Sequence, residues 1–259
     1  MTHKKTFQIG GIHLDKHKIS ALNPIIDAGV PELVYIPVRQ HIGAPAVLQK
    51  TKGDKVKIGT LLAAADGVVS ADVHSSVAGE IVKIEEMPGS SGYQELTVVI
   101  KTAPDEFETG IDTGSDIVKE ITASREEIIS AIRKAGIVGM GGAGYPTPIK
   151  PELPENKKAD CLIVNAIECE PYLTADGALM LEKAEQIIIG AKIINKALGI
   201  QNAVIAIDEN KPQAIEKLTK ISKSYIGVNV RVCKSKYPQG GERQLLSLIH
   251  ISEPTRPEP

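Results

Sequence analysis

Cysteine is scarce in this chain of 259 residues, which has Cys161, Cys169 and Cys233 and no C-x-x-C pair. A chain of this length does not depend on disulfides for its stability, so this usage fits a reducing compartment. The spacing contains neither an iron–sulfur cage motif nor a structural zinc motif. We therefore predict no bound metal in this chain.

Long apolar runs and a large excess of one charge are missing as well. No apolar run reaches about 18 residues, the length of a membrane-spanning helix, and residues 1–18 lack the apolar centre of a signal peptide. The formal net charge is −2, and no basic run is interleaved with aromatic residues. We expect a cytoplasmic chain with no nucleic-acid partner and no direct membrane insertion.

The remaining sequence divides into regions of different pattern. Residues 1–103 contain short apolar runs punctuated by glycine, which predict a mainly-β domain. Residues 104–123 are acidic and poor in apolar side chains, as is typical of a linker. Residues 124–246 alternate strand and helix patterns, which predict an α/β domain with a parallel sheet and right-handed crossovers. The proline-rich residues 247–259 are predicted to be a disordered tail.

The β region has a recognisable local pattern. Alternating Val69, Ala71 and Val73 predict a half-buried strand, as do the apolar residues of 81–84. The segment 50–85 resembles the barrel-sandwich hybrid of biotinyl and lipoyl carriers, which modify a lysine at a hairpin tip. The corresponding segment here, "ADVHSSVAG", has no lysine. We therefore expect a docking module rather than a carrier of a swinging arm.

The α/β region begins with a strand in "DCLIVNA". One long helix is predicted next, in "TADGALMLEKAEQIIIGAKIINKALG", with Gly199 just after its last residue. The strand "NAVIAID", a helix with Pro212 in its first turn and the strand "IGVNVRVCK" complete the set.

A glycine loop at Gly139-x-Gly141-x-x-Gly144 matches the letters of a dinucleotide-binding fingerprint. That fingerprint needs a strand before it and a helix after it. Here a helix precedes it, with Ser124 and Glu127 in a capping-box pattern, and several prolines follow it. The loop is therefore either a bare backbone surface for a phosphate or a flat ring, or a tight packing turn.

Two further loops follow predicted strands and are expected to converge with the glycine loop. The first, "NAIECEPYLTAD", carries Asn165, Glu168 and Glu170, which are either acceptors for ribose hydroxyls or a ring N–H, or members of an ordinary surface loop. The second, "YPQGGERQLL", brings Glu242 into the first turn of a helix and is either an anion site or a simple turn.

Taken in order with "GGIHLDKHK" and "HSSVAGEI", these loops resemble the RnfC family, which provides one component of the Rnf complex, the ion-translocating ferredoxin:NAD oxidoreductase. The middle domain of that family is similar to the flavin-binding subunit of respiratory NADH dehydrogenase. The resemblance implies FMN and NAD(H) as cofactors and hydride transfer between nicotinamide and flavin, with no protein nucleophile and thus no catalytic side chain. The implied cofactor-binding residues are Gly139, Gly141, Gly142, Ala143, Gly144, Lys150, Asn165, Glu168, Glu170, Tyr172 and Glu242. Met140 stands where the respiratory protein commonly has arginine, which makes Lys150 the expected cation.

The family continues beyond the flavin domain into a region that binds 4Fe-4S clusters, and this sequence contains no such motifs, so we predict a fragment. The implied partners are the membrane and iron–sulfur subunits of the complex and, indirectly, ferredoxin. Attachment to the inner face of the cell membrane would go through those subunits. Two alternatives stay open: a related flavin protein that supplies cobalamin reduction or proline reductase, and a docking module without a cofactor.

Overall fold

A computed structural model describes residues 6–7, 10–89, 92–140 and 144–248, and the backbone of the last helix as far as His250. The chain forms two compact units. Residues 27–157 make up one unit, here called the β unit. Residues 1–26 and 158–259 make up the other, here called the α/β unit.

The β unit contains two antiparallel sheets. Its strands are β1 Leu33–Pro37, β2 Val47–Leu48, β3 Lys55–Val56, β4 Leu61–Ala64, β5 Val73–His74, β6 Gly79–Pro88 and β7 Gln94–Thr102. One sheet has the order β1-β7-β6-β3 and the other the order β2-β4-β5. Side chains such as Leu62, Ile81, Val98 and Ile100, all fully buried, fill a common core between the strands. This arrangement confirms the mainly-β prediction.

Two local expectations in the β unit need correction or comment. The strand expected from Val69 to Val73 is only the two-residue β5, because the Ser70 and Asp72 side chains bond backbone atoms of neighbouring loops. The segment without a lysine is not an exposed tip, since Ser75, Val77 and Ala78 are buried.

Residues 104–111 pack on the β unit, although the sequence predicts a linker there. The Ile58 N–H donates to the Glu106 carbonyl at 2.8 Å, and the Glu108 N–H donates to the Ile58 carbonyl at 3.0 Å. The Thr60 hydroxyl also donates to the Glu108 carboxylate at 2.5 Å. These bonds extend the β unit past its last strand.

Helix α1, Arg125–Lys134, also belongs to the β unit. The Glu127 N–H donates to the Ser124 hydroxyl, and the Ser124 N–H donates to the Glu127 carboxylate, which confirms the capping box. The glycine loop follows this helix, and a short 3-10 turn at Thr147–Ile149 comes after it. The loop therefore lacks the strand and the helix of a dinucleotide fingerprint, as predicted.

The α/β unit has a three-stranded parallel sheet in the order β10-β9-β8, formed by β8 Cys161–Ala166, β9 Asn202–Asp208 and β10 Val228–Cys233. The helices are α2 Ala175–Glu182, α3 Ala184–Leu198, α4 Pro212–Ser222 and α5 Glu242–His250. The parallel sheet and the left-handed Gly199 after α3 (φ 70°) agree with the sequence. The core includes Ile188, Ile205, Ile207 and Leu218, all fully buried.

The single long helix predicted between β8 and β9 is two helices, because Lys183 leaves helical geometry at φ −120° and ψ 29°. No glycine or proline marks that break in the sequence. Helix α5 continues past residue 246 and buries Leu248, whereas residues 251–259 of the predicted tail lie outside the described residues. None of the described helices combines the length and apolar character that crossing a membrane requires.

Candidate functional site

The loops that follow β8 and β10 are joined at the carboxyl edge of the parallel sheet. The Asn165 side-chain amide donates to the Gly240 carbonyl at 2.8 Å, and the Gly240 N–H donates to the Cys169 Sγ at 3.4 Å. A Cβ at Gly240 would lie 2.9 Å from the Ile167 carbonyl oxygen, so the approach needs a residue without a side chain. Two of the three loops expected to meet are thus in contact.

Glu168 lies in a buried cluster of charges rather than on the surface. Its side chain is 4 % exposed, and its Oε2 lies 3.6 Å from the Lys211 Nζ and 3.8 Å from the Lys18 Nζ. Its Oε1 accepts the Asp176 N–H at 3.0 Å, at the beginning of α2. The two lysines neutralise the charge of this buried carboxylate. Glu170 is exposed, so the two carboxylates are not buried together.

Asp208, the last residue of β9, extends this cluster. Its side chain is fully buried, its Oδ2 lies 3.7 Å from the Lys211 Nζ, and neither carboxylate oxygen has a hydrogen-bond donor among the described residues. Burial raises the pKa of Asp208 above its ordinary value, and the ammonium groups of Lys211 and Lys18 oppose that rise. Sequence patterns do not single out Asp208 or Lys211, because their pairing with Glu168 depends on the fold.

The N-terminal segment covers the loop after β8. The Tyr172 N–H donates to the Lys16 carbonyl at 3.1 Å, and the Tyr172 ring stacks on His17 with centroids 5.1 Å apart. Lys18 comes from the motif "GGIHLDKHK", so the sequence contains a signal for it, although the motif alone does not indicate its role. Its ammonium is directed at the main chain of the loop.

A cavity of about 200 Å³ opens beside the charge cluster. Its polar walls include Lys18, Glu168 and Lys211, and its apolar walls include Leu22 and Leu181. The first turn of α4 also lines it. The Glu168 Oε2 atom is buried and has no hydrogen-bond donor among the described residues.

The glycine loop of the β unit closes as a short hairpin. The Gly139 N–H donates to the Tyr145 carbonyl at 2.9 Å, and the Gly144 N–H donates to the Gly139 carbonyl at 3.1 Å. Gly144 has φ +56°, and a Cβ there would lie 3.2 Å from the His41 Cα. Packing within the fold therefore explains the glycine at position 144.

Gly139 is different. Its φ is not in the left-handed region, and among the described residues the atoms nearest to a Cβ there would be the Lys150 Nζ at 3.6 Å and the Tyr145 main chain at 3.7 and 3.8 Å. The fold itself therefore does not demand glycine at this position. The main chain at Gly139 lies beside the ammonium group of Lys150, whose side chain is exposed.

The other expected cofactor residues occupy varied surroundings. Glu170, Tyr172 and Glu242 are exposed, and Tyr172 has a positive φ of 68°. Asn165 is exposed, but its Oδ1 accepts the Ile167 N–H and one of its amide hydrogens goes to Gly240. Gly141, Gly142 and Ala143 lie outside the described residues.

Family models match two consecutive parts of the chain. The RnfC barrel sandwich hybrid domain matches residues 5–105, and the Nuo51 FMN-binding domain matches residues 132–258. This combination confirms the predicted fold class, a barrel-sandwich-hybrid β domain followed by an α/β domain of the NADH dehydrogenase flavin-subunit type. The second match extends beyond residue 246, where the sequence predicts the family pattern to end.

Sequence similarity to curated proteins identifies the family. The C subunit of the proton-translocating ferredoxin:NAD(+) oxidoreductase complex of Clostridium ljungdahlii is 43 % identical over 249 residues, which are 95 % of this chain and 53 % of that protein. The C subunit of the Na(+)-translocating ferredoxin:NAD(+) oxidoreductase complex of Acetobacterium woodii is 40 % identical over 245 residues, 93 % of this chain and 54 % of that protein. The chain belongs to this RnfC family, which confirms the resemblance seen in the sequence. It spans about half the length of these two relatives.

A likeness to a solved structure is weaker. The crystal structure of an NAD+-reducing NiFe hydrogenase in the air-oxidized state is 27 % identical and has a TM-score of 0.44. The match covers 52 % of this chain and 25 % of the hydrogenase chain.

Proposed function

We propose that this chain is the flavin- and nicotinamide-binding part of an electron-transfer subunit in an Rnf-type complex. Electrons would move between NAD(H) and iron–sulfur carriers that serve ferredoxin. The membership of the RnfC family and the match to an FMN-binding domain support this proposal. The 4Fe-4S clusters would belong to sequence outside this chain, and contact with the membrane would go through partner subunits.

The observation that carries the proposal is Gly139, a glycine that neither its φ nor a close contact with the described residues requires, beside the Lys150 ammonium. A flat ring or a phosphate can approach a main chain without a Cβ, and a cation suits the negative charge of a flavin phosphate. Among the described residues, a Cβ at Gly139 would make ordinary van der Waals contacts with the Lys150 Nζ and the Tyr145 main chain, so packing of these residues does not demand a glycine here. The residues present therefore fit FMN.

Bound FMN would supply hydride exchange with the nicotinamide ring, so the protein has to bind, orient and exclude water. In the β unit, we propose that Gly139, Gly144 and Lys150 help to hold the flavin, together with residues 141–143. In the α/β unit, considered by itself, we propose cofactor-binding roles for Asn165, Glu168, Glu170, Tyr172 and Glu242. Glu168 would act mainly through its buried ion pairs, whereas Glu170 and Tyr172 offer exposed side chains.

The test is a titration of the purified chain with FMN, followed by NADH. After unbound FMN has been removed by gel filtration, we expect the chain to retain a visible absorption band at about 450 nm that bleaches when NADH is added under anaerobic conditions. A chain that is colourless after incubation with excess FMN and gel filtration would overturn the proposal and favour the docking module without a cofactor.

Matched variants locate the site. Gly139→Val should raise the FMN dissociation constant by at least about tenfold, because the added methyl groups obstruct the approach of a ring or a phosphate to this main chain. Gly190→Val is the control, since Gly190, like Gly139, has no positive φ, and its Cβ position has no described atom within 4 Å. Lys150→Met should weaken FMN binding, and Lys157→Met, an exposed lysine of the same unit, should not. Equal affinities for Gly139→Val and the control would remove the glycine loop from the site.

A further inference from the structure

Lys18 uses its donors on one loop that lies 150 residues later in the chain. Its Nζ donates to the carbonyl oxygens of Glu168 and Glu170, each at 2.9 Å, and also to that of Leu173. An ammonium group has three N–H donors, so the whole set goes to the main chain of this loop. The side chain is only 14 % exposed.

The loop in question has a conformation that needs support. Residues 167–173 form neither helix nor strand, and Tyr172 has φ +68°, a region that side chains other than glycine rarely occupy. Such strain persists only where the surroundings fix it. The neighbours of Lys18 take part in this, through the Lys16 carbonyl and the His17 ring at Tyr172, and through the bond of 2.7 Å between Ser20 and Thr174.

Burying an ammonium group has a cost, which the protein accepts here. Desolvation lowers the pKa of Lys18, and the nearby Glu168 carboxylate partly restores it. An apolar side chain would avoid that cost but would leave three converging carbonyl oxygens without their donor. What the protein gains from burying this ammonium group is therefore a fixed position of the loop.

We propose that Lys18 is a positioning residue that holds residues 168–173 so that Glu170 and Tyr172 are presented to the nicotinamide or flavin. The inference has a loop half, that Lys18 holds residues 168–173 in place, which rests on the contacts above. Its cofactor half, that the loop presents Glu170 and Tyr172 to a cofactor, rests on the proposed function. Lys18 itself does not need to touch either cofactor.

The experiment compares the full chain with Lys18→Met, Lys18→Arg and the control Lys220→Met. Lys220 is an exposed lysine in the last turn of α4, away from the residues that line the cavity. Hydrogen exchange of the amides of Cys169, Glu170, Tyr172 and Leu173 reports on the loop, with the β9 amides as an internal reference. Titrations with FMN and with NADH report on the cofactor half.

For Lys18→Met we expect loop exchange at least about tenfold faster, with β9 unchanged, and affinity for NADH or FMN at least about tenfold weaker. Lys18→Arg should fall between Lys18→Met and wild type, because its planar group keeps the charge but does not match three converging acceptors. If Lys18→Met does not fold, Lys18→Arg alone decides. A general loss of stability would speed exchange in β9 as well.

Unchanged loop exchange in the folded variants would overturn the inference, whether or not the cofactors bind. A loosened loop with unchanged cofactor affinities would overturn its cofactor half. If the wild-type chain binds neither FMN nor NADH, the proposed function fails, and the exchange measurement still decides whether Lys18 positions the loop.

Discussion

Lys211 should be worth several kcal/mol to the folded state of the α/β unit, because it is the shared cation of two buried carboxylates. Its Nζ lies 3.6 Å from Glu168 Oε2 and 3.7 Å from Asp208 Oδ2, and its side chain is 9 % exposed. At an effective dielectric constant of about 20, each attraction amounts to about 4.5 kcal/mol before desolvation is subtracted. Lys211→Met also removes the burial cost of the ammonium, so the net loss should be about 3–5 kcal/mol.

The two carboxylates are affected differently by that substitution. Glu168 keeps Lys18 at 3.8 Å, whereas Asp208 has no other ion-pair partner within 4 Å in the part of the chain that the structure describes. Asp208→Asn should therefore restore at least about 1 kcal/mol in the Lys211→Met background, since it replaces an unpaired buried charge by a neutral amide. In the wild-type background the same change should not stabilise the protein as much.

The assay is urea unfolding of the four members of this double-mutant cycle, followed by circular dichroism at pH 7. Lys220→Met provides the matched control and should cost less than about 1 kcal/mol, because that side chain is exposed. A Lys211→Met cost no larger than the control would refute the reasoning. So would an Asp208→Asn effect that is the same with and without Lys211.

Further predictions concern other parts of the molecule. Burial raises the pKa of Asp208, so the folded state binds the proton of this carboxyl more tightly than the unfolded state does. The free energy of unfolding of wild type, relative to that of Asp208→Asn, should therefore increase as pH falls through the raised pKa towards 3.8. Unfolding measured across this pH range checks the prediction. Burial raises the pKa of Cys233 to about 11, so at pH 8 only about a thousandth of it is thiolate, and mass spectrometry should find it unmodified by iodoacetamide until the protein unfolds. Gly144→Ala should destabilise the β unit by about 1–3 kcal/mol and Gly139→Ala by less than about 1 kcal/mol, and equal effects in thermal unfolding would contradict the difference in backbone strain. Ser124→Ala should cost about 1 kcal/mol through the lost cap of α1, and unchanged unfolding would show that the cap contributes nothing.

Local patterns in the sequence predicted much of the fold correctly. The capping box at Ser124, the left-handed Gly199 and Pro212 in the first turn of α4 all lie where the sequence indicates. The alternation of strand and helix patterns predicted a parallel sheet, because parallel strands need a crossover connection that is long enough to contain a helix. The order of the loop motifs was sufficient to identify the family. The signals concerned act over a few residues, so one sequence contains them.

Tertiary structure decided what those motifs do physically. Glu168 and Glu170 look alike in sequence, yet the first is buried between two lysines and the second is exposed, because Lys18 and Lys211 approach from positions 150 residues before and 43 residues after Glu168. The break at Lys183 has no local signal, and the short β5 depends in part on the hydrogen bond from the Ser70 hydroxyl to the Ala44 carbonyl, 26 residues earlier in the chain. Partners so far apart in the chain leave no periodicity or spacing to read, since only folding sets the distance between them.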